Sequence, residues 1–266
     1  MAGAKMIYTL YFSPTGTTRA VLRQIGRLMG VEPAEHDLTP YGDYEDVVVL
    51  GKDDFALFGF PVYEHRVPGT FRDRLRCISG DGTPAAIVCT YGNCEYGDAL
   101  LEMRDIAADR GFFPIAAAAV AAEHNVIRSV AAGRPDEADM EFIKRFCAEL
   151  SIRGEVFAQN GGGSASLAVP GDYPYHHSPF SLPWHRVGIR ASADCIACGL
   201  CEAKCPVGAI PADNPRVTQS LCIGCMRCTR ICPKHARRQT KLVQTVGSLL
   251  LAKSKRIRKE PEMWFT

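Results

Sequence analysis

Short apolar runs alternate with longer segments of helical periodicity through the first 158 residues. Met6–Phe12, Asp54–Tyr63, Ala85–Asn93 and Phe112–Ala122 are nearly continuous in apolar side chains, the pattern of strands covered on both faces. Thr17–Met29, Gly69–Ile78, Asp98–Arg110 and Pro135–Arg153 intervene and are expected as helices. Asp136, with Asp139 three residues on, is patterned as an N-terminal cap. Glu35–Leu38 reads as a short strand, and Val47–Leu50 fits strand or helix. The alternation predicts an α/β domain over residues 1–158, built on a parallel five-stranded sheet.

The texture then changes. Gln159-Asn160-Gly161-Gly162-Gly163-Ser164 and four later prolines mark residues 159–189 as a linker. Tyr173, Tyr175, Phe180 and Trp184 make it too aromatic for a mere spacer, so it is expected to lie across a domain surface. Residues 190–236 are crowded with cysteine. In the stretch 237–266, Leu242, Val246, Leu249 and Leu250 recur at helical spacing before the basic run Lys253–Lys259, which predicts an amphipathic tail.

Length and composition, 266 residues with 47% hydrophobic and 23% charged, fit two folded domains and exclude wholesale disorder. The longest apolar run, Phe112–Ala122, is shorter than the roughly 18–20 residues of a membrane span. No small-residue cleavage site follows Met6–Phe12. No membrane span, no nucleic-acid partner and a cytoplasmic location are therefore expected. The net charge of +2 hides a local +7 from Lys234 onward, which reads as a solvated face or as a docking surface for an acidic partner.

Of twelve cysteines, Cys77, Cys89, Cys94 and Cys147 are scattered and read as core fillers. The other eight form Cys195-x2-Cys198-x2-Cys201-x3-Cys205-Pro206 and Cys222-x2-Cys225-x2-Cys228-x3-Cys232-Pro233, every member repeating at an offset of 27. Three thiolates spaced by two wrap one corner of an iron-sulfur cube, and the proline after the fourth keeps the chain from folding back on its own cluster. Zinc is the competing metal, but four ligands per ion leave the third cysteine of each run awkward to place. The stretch resembles bacterial two-cluster 4Fe-4S ferredoxins at every ligand position, which implies a small α+β domain. In that family the fourth cysteine crosses over, so one cluster would take Cys195, Cys198, Cys201 and Cys232 and the other Cys222, Cys225, Cys228 and Cys205. So short a module has too little apolar surface to fold unaided, and metal ligation would supply the difference.

Phe12-Ser13-Pro14-Thr15-Gly16-Thr17-Thr18 follows the first strand and opens the first helix. Hydroxyls and free amides there make a phosphate site without a lysine; neither a Walker loop nor G-x-G-x-x-G occurs. Taken alone, the segment also has a plainer reading as an ordinary capped turn. Two later strands end in Gly59-Phe60-Pro61-Val62-Tyr63 and Thr90-Tyr91-Gly92-Asn93-Cys94-Glu95-Tyr96-Gly97, and doubly wound sheets bind ligands at the carboxyl ends of their strands. Over residues 5–155 this arrangement resembles flavodoxin, which implies a flavodoxin-like doubly wound fold and bound FMN. The resemblance places Ser13, Thr15, Gly16, Thr17 and Thr18 on the phosphate. It places Pro61, Val62 and Tyr63 on one side of the ring, and Tyr91, Gly92, Asn93 and Tyr96 around its other edges. Pro14 departs from the family by replacing a hydroxyl residue, and the ring loops are less acidic.

The whole chain resembles flavodoxin-ferredoxin fusion proteins of anaerobes. That resemblance implies an electron-transfer protein passing electrons between two 4Fe-4S clusters and FMN, with redox partner proteins. The alternative is an FMN-dependent reductase of a small molecule, an oxidoreductase fed by its own ferredoxin domain. Its proton donor would come from Tyr63, Arg66 or His124. Each of these also has a plainer reading, as a loop aromatic, a solvated cation and a hydrogen-bonded loop histidine.

Overall fold

The computed structural model describes residues 4–162, 166–176 and 188–266. Five parallel strands, β1 (Ile7–Tyr11), β2 (Ala34–Asp37), β4 (Phe55–Pro61), β6 (Thr83–Tyr91) and β7 (Phe112–Ala121), lie in the order β2-β1-β4-β6-β7. This is the flavodoxin-like doubly wound order. Successive residues serve opposite faces: Tyr11, Phe55 and Leu57 pack with Leu22, Ile25 and Phe146, whereas Leu10, Phe12, Phe58 and Phe60 pack with Phe71, Leu100 and Met103. Helices α1 (Thr17–Leu28) and α4 (Glu137–Gln159) thus cover one face, and α2 (Gly69–Arg74) and α3 (Ala99–Asp109) the other. Asp136 caps α4 as its spacing predicts, accepting from the Ala138 and Asp139 amides while Asp139 accepts from the Asp136 amide.

One open reading is settled and one changes. Val48–Leu50 is a strand, β3, and the expected helix over Gly69–Ile78 stops at Arg74, passes through a 3-10 turn and ends before β5 (Ile78–Gly80). Ile78 leaves the helix because its β-branched side chain is buried opposite Val48 in a separate two-stranded parallel sheet.

The larger difference is a sixth strand. Residues 237–266, expected as one tail, divide among three places. β9 (Arg237–Gln239) pairs antiparallel with β8 (Ile189–Ala191). Helix α7 (Lys241–Leu250) turns Val243 inward and leaves Leu242 and Leu249 65% and 71% exposed; α8 (Ala252–Arg256) follows. β10 (Glu262–Phe265) then pairs antiparallel with Ala116–Ala119 of β7. The alanines of β7 leave room for large neighbours: Met263 and Phe265 join the α4 face, Trp264 the α3 face. Asn93 secures the approach, donating to the Ser254 and Ile257 carbonyls and accepting from the Lys259 amide. Arg134, paired with the fully buried Asp139, donates to the Asn93 side chain and the Lys259 carbonyl. Arg258 forks onto Asp136.

The cysteine module contains β8, β9 and two short helices, α5 (Leu200–Ala203) and α6 (Arg227–Ile231). Its 27-residue repeat is also conformational. Left-handed backbone recurs at Ala197 and Gly224, Gly199 and Met226, Gly208 and His235, so both runs wind the same way, even where the second member is not glycine. Ahead of the module the linker crosses α3: Asp98 accepts from the Asp172 and His176 amides, Tyr173 and Tyr175 donate to Asp105, and Leu167 is buried. Phe180, Trp184, His177 and His185 lie outside the described residues. No helix among those described is long and apolar enough to cross a membrane.

Two outcomes follow from this packing. Deleting residues 260–266 should strip β7 of its outer ladder, so amide exchange at Ala116–Ala119 should accelerate while that of Ile7–Leu10 stays slow; equal protection in both proteins would show that β10 does not pair there. His124 titrates as a buried neutral ring. Its Nδ1 accepts from the Val126 and Ile127 amides at 3.2 and 3.1 Å, and burial lowers its pKa from 6.5 to about 4. Below 6.5 the unfolded chain takes up a proton that the native ring refuses, so stability should fall between 6.5 and 4, by about 3 kcal/mol in all, and level off beneath. Urea unfolding at about pH 7 and about pH 4.5 should show His124→Asn losing that acid sensitivity.

Candidate functional site

The loop after β1 is closed on itself. The Ser13 amide donates to Thr39 Oγ1, Ser13 Oγ accepts from the Arg19 amide, and the Thr18 and Thr90 hydroxyls bond at 2.7 Å. Gly16 is left-handed at the cap of α1, and no acidic residue occupies the first turn. The helix therefore offers unopposed amides at Thr17 and Thr18, beside the hydroxyls of Thr15 and Thr17. The guanidinium groups of Arg19 and Arg23 turn away from this loop to Glu35, whose carboxyl the Arg23 hydrogen bond, against burial, draws down to about 2.

The two later loops are adjacent, the Val62 amide bonding the Thr90 carbonyl. Their side chains have definite partners. Tyr91 packs edge-on to Tyr96, and Tyr96 edge-on to Trp264 with its hydroxyl on Glu262. Asn93 is taken up by the C-terminal segment. What this loop presents at the strand ends is backbone at Gly92, where a Cβ would stand 2.5 Å from His124. Pro61 and Val62 stay part-exposed. Tyr63 turns toward the cysteine module: burial, then the neighbouring Cys225 and Cys222 thiols, push its phenol well up. Arg66 forks onto the buried Glu102 and lies 4.8 Å over the Tyr175 ring.

None of the twelve cysteines is paired in a disulfide. Cys89 and Cys147 are buried in the sheet core, Cys77 donates to the Arg74 carbonyl, and Cys94 to that of Gly92. The other eight surround two recesses. One, about 360 Å³, is lined by Cys195, Cys198, Cys201 and Cys232; the second, about 320 Å³, by Cys222, Cys225, Cys228 and Cys205. The fourth thiol of each run thus faces the other run's recess. Among the described residues no three His, Cys, Asp or Glu side chains converge closely enough to share one ion. A zinc would draw four sulfurs to about 2.3 Å from one point, whereas these thiols ring a volume. Matching backbone donors point at the crossing sulfurs: the Ala209 amide reaches Cys205 Sγ and the Ala236 amide Cys232 Sγ, each at 3.3 Å. Burial pushes the Cys225 thiol well up and that of Cys228 up to about 12, so both need a cation in the recess before they ionise near neutrality.

The second recess lies against the carboxyl ends of the sheet. Arg74 donates to the Leu38 and Thr39 carbonyls and, at 2.5 Å, to that of Pro206. Arg230 pairs with Glu123 at 2.5 Å, Arg227 donates to the Pro14 carbonyl at 3.3 Å, and Ile223, like Val62 and Tyr63, packs against the core on the α3 face of the sheet. The first recess is remote from these contacts and more open, with Cys198 exposed and Ile196 59% exposed. Sequence reasoning missed these arginines, although one signal was present. Arg227 and Arg230 stand where the repeat has Leu200 and Ala203.

Two family models described as 4Fe-4S binding domains match residues 192–210 and 214–236. No curated protein sequence matches the chain. Solved structures similar to it include a flavodoxin from Streptococcus pneumoniae TIGR4, 14% identical, covering 56% of this chain and 99% of that one with a TM-score of 0.39. Another is a flavodoxin from the domain Archaea, also 14% identical, covering 56% and 99% with a TM-score of 0.34. An FMN-dependent NADH-azoreductase from Bacillus anthracis is 8% identical and covers 55% and 100%, with a TM-score of 0.37. With the strand order and the eight cysteines, the chain is a flavodoxin-like α/β domain joined to two 4Fe-4S-binding domains.

Proposed function

We propose that this is an electron-transfer protein in which FMN occupies the carboxyl ends of the sheet and a 4Fe-4S cluster each of the two recesses. The phosphate would lie at Ser13, Thr15, Gly16, Thr17 and Thr18. The ring would lie against Pro61, Val62 and Tyr63 and the Gly92 backbone, with Tyr91, Asn93 and Tyr96 supporting that loop from behind. Cys195, Cys198, Cys201 and Cys232 hold one cluster, Cys222, Cys225, Cys228 and Cys205 the other. FMN exchanges one or two electrons and the clusters exchange them singly.

The observation that carries this reading is that the second cysteine run meets the loops at the carboxyl ends of the sheet, with Arg227 on the Pro14 carbonyl, Arg74 on the Pro206 carbonyl and Ile223 against the sheet core. One recess adjoins the flavin loop and the other opens outward at Cys198 and Ile196, which suits a redox protein approaching from outside. The reductase alternative draws less support. Two of its three candidate proton donors are engaged, Arg66 by Glu102 and His124 through Nδ1 by two backbone amides, while Tyr63 is part-buried against the sheet core.

Anaerobic purification with iron, sulfide and flavin quantified together should give about eight irons per FMN; four irons, or no flavin, would count against it. Cys205→Ala should perturb the spectrum of the cluster marked by substitution at Ile223, and Cys232→Ala that of the one marked at Ile196. The opposite pattern would replace crossed ligation by two independent loops.

A further inference from the structure

We propose that Arg227, in the second cysteine run, is a phosphate ligand of the flavin and completes across the domain interface the cradle begun by Ser13–Thr18. This rests on the FMN reading above and adds a residue from the other domain to it.

Three observations carry the inference. First, Arg227 Nη1 lies 3.3 Å from the Pro14 carbonyl, in the middle of the loop. Second, its Nε, like those of Arg230 and Arg237, is buried without a hydrogen-bond partner; Arg227 also lines the second recess, so the acceptor that joins it is a phosphate oxygen at the loop or a sulfur in the recess, and comparing FMN with riboflavin separates the two. Third, the loop is short of donors and cations. Pro14 has no amide hydrogen, Ser13 Oγ and Thr18 Oγ1 are engaged within the fold, and Arg19 and Arg23 belong to Glu35. Among the described residues Arg227 is the cation hydrogen-bonded to this loop.

The acceptor that fits is a phosphomonoester, close to dianionic at neutral pH. Its oxygens would take the α1 amides, the Thr15 and Thr17 hydroxyls and the guanidinium together. The repeat sharpens the point. The equivalent position in the first run is Leu200, part-exposed and on the outward side, so arginine is not demanded by cluster ligation. Arg227 lies between Cys225 and Cys228, so the loop that wraps the inner cluster also sets the position of its side chain.

The test uses the cluster-loaded protein, freed of flavin and titrated with FMN, riboflavin and inorganic phosphate by fluorescence and competition. Arg227→Gln should raise the Kd for FMN about 10- to 100-fold, the loss of one charge-assisted hydrogen bond, and leave that for riboflavin unchanged. An unchanged FMN Kd would overturn the proposal, as would an equal rise for both flavins, which marks a structural role. Phosphate binding lost in the variant without a change for FMN would make Arg227 an anion site unconnected with flavin, and equally overturn it. A wild-type protein that binds neither flavin would overturn the FMN reading itself. Should Arg227→Gln lose iron, Arg227→Lys keeps the charge. The phosphorus resonance of bound FMN should then shift between wild type and Arg227→Lys, and an unshifted resonance would overturn the contact.

Discussion

Three arginines decide how the two halves of this molecule meet. Arg74, Arg227 and Arg230 each reach across to an acceptor on the other domain: the Pro206 carbonyl, the Pro14 carbonyl and the Glu123 carboxylate. Guanidinium forks suit the task, since each can satisfy a backbone carbonyl on one side while stacking or bonding on the other, as Arg74 does over the Tyr44 ring. With these contacts in place the second cysteine run sits on the carboxyl ends of the strands and the first run is held outward. The orientation, more than the content of either domain, makes the chain something other than two tethered proteins.

That orientation also breaks the symmetry of the repeat. The two runs share spacing, left-handed positions and the amide-to-sulfur contacts at Ala209 and Ala236. They differ in what surrounds them. Burial presses on Cys225 and Cys228, while for Cys232 the amides of Arg237, Ala236 and Lys234 outweigh burial and hold the thiol below its usual range. Identical ligand sets in unlike surroundings acquire unlike potentials, so under the proposed function the duplicated sequence would yield two centres that are not interchangeable.

Much of this was legible in the residues, and what escaped shares a physical cause. The apolar runs of β1, β4, β6 and β7 declare themselves because burial on both faces leaves no room for polar side chains. The thiol sets are explicit in their spacing. β10 escaped because Glu262–Phe265 is four residues long and follows a basic stretch. Its strand character comes from the β7 edge it meets, with alanines across from Met263, Trp264 and Phe265. Ile78 escaped for the same reason, its partner Val48 lying thirty residues earlier. The side chains of Tyr91, Asn93 and Tyr96 could not be oriented from local sequence, because what they touch is Trp264, Ser254, Ile257 and Glu262.

The placing of β10 bears on how the protein is made. β7 leaves the ribosome long before its outer partner, since the linker and the whole cysteine module lie between Ala119 and Glu262. At ordinary elongation rates the gap is on the order of ten seconds. During that time the alanine-rich edge is an open template for any passing strand, and the closing strand arrives only after both thiol loops have been extruded.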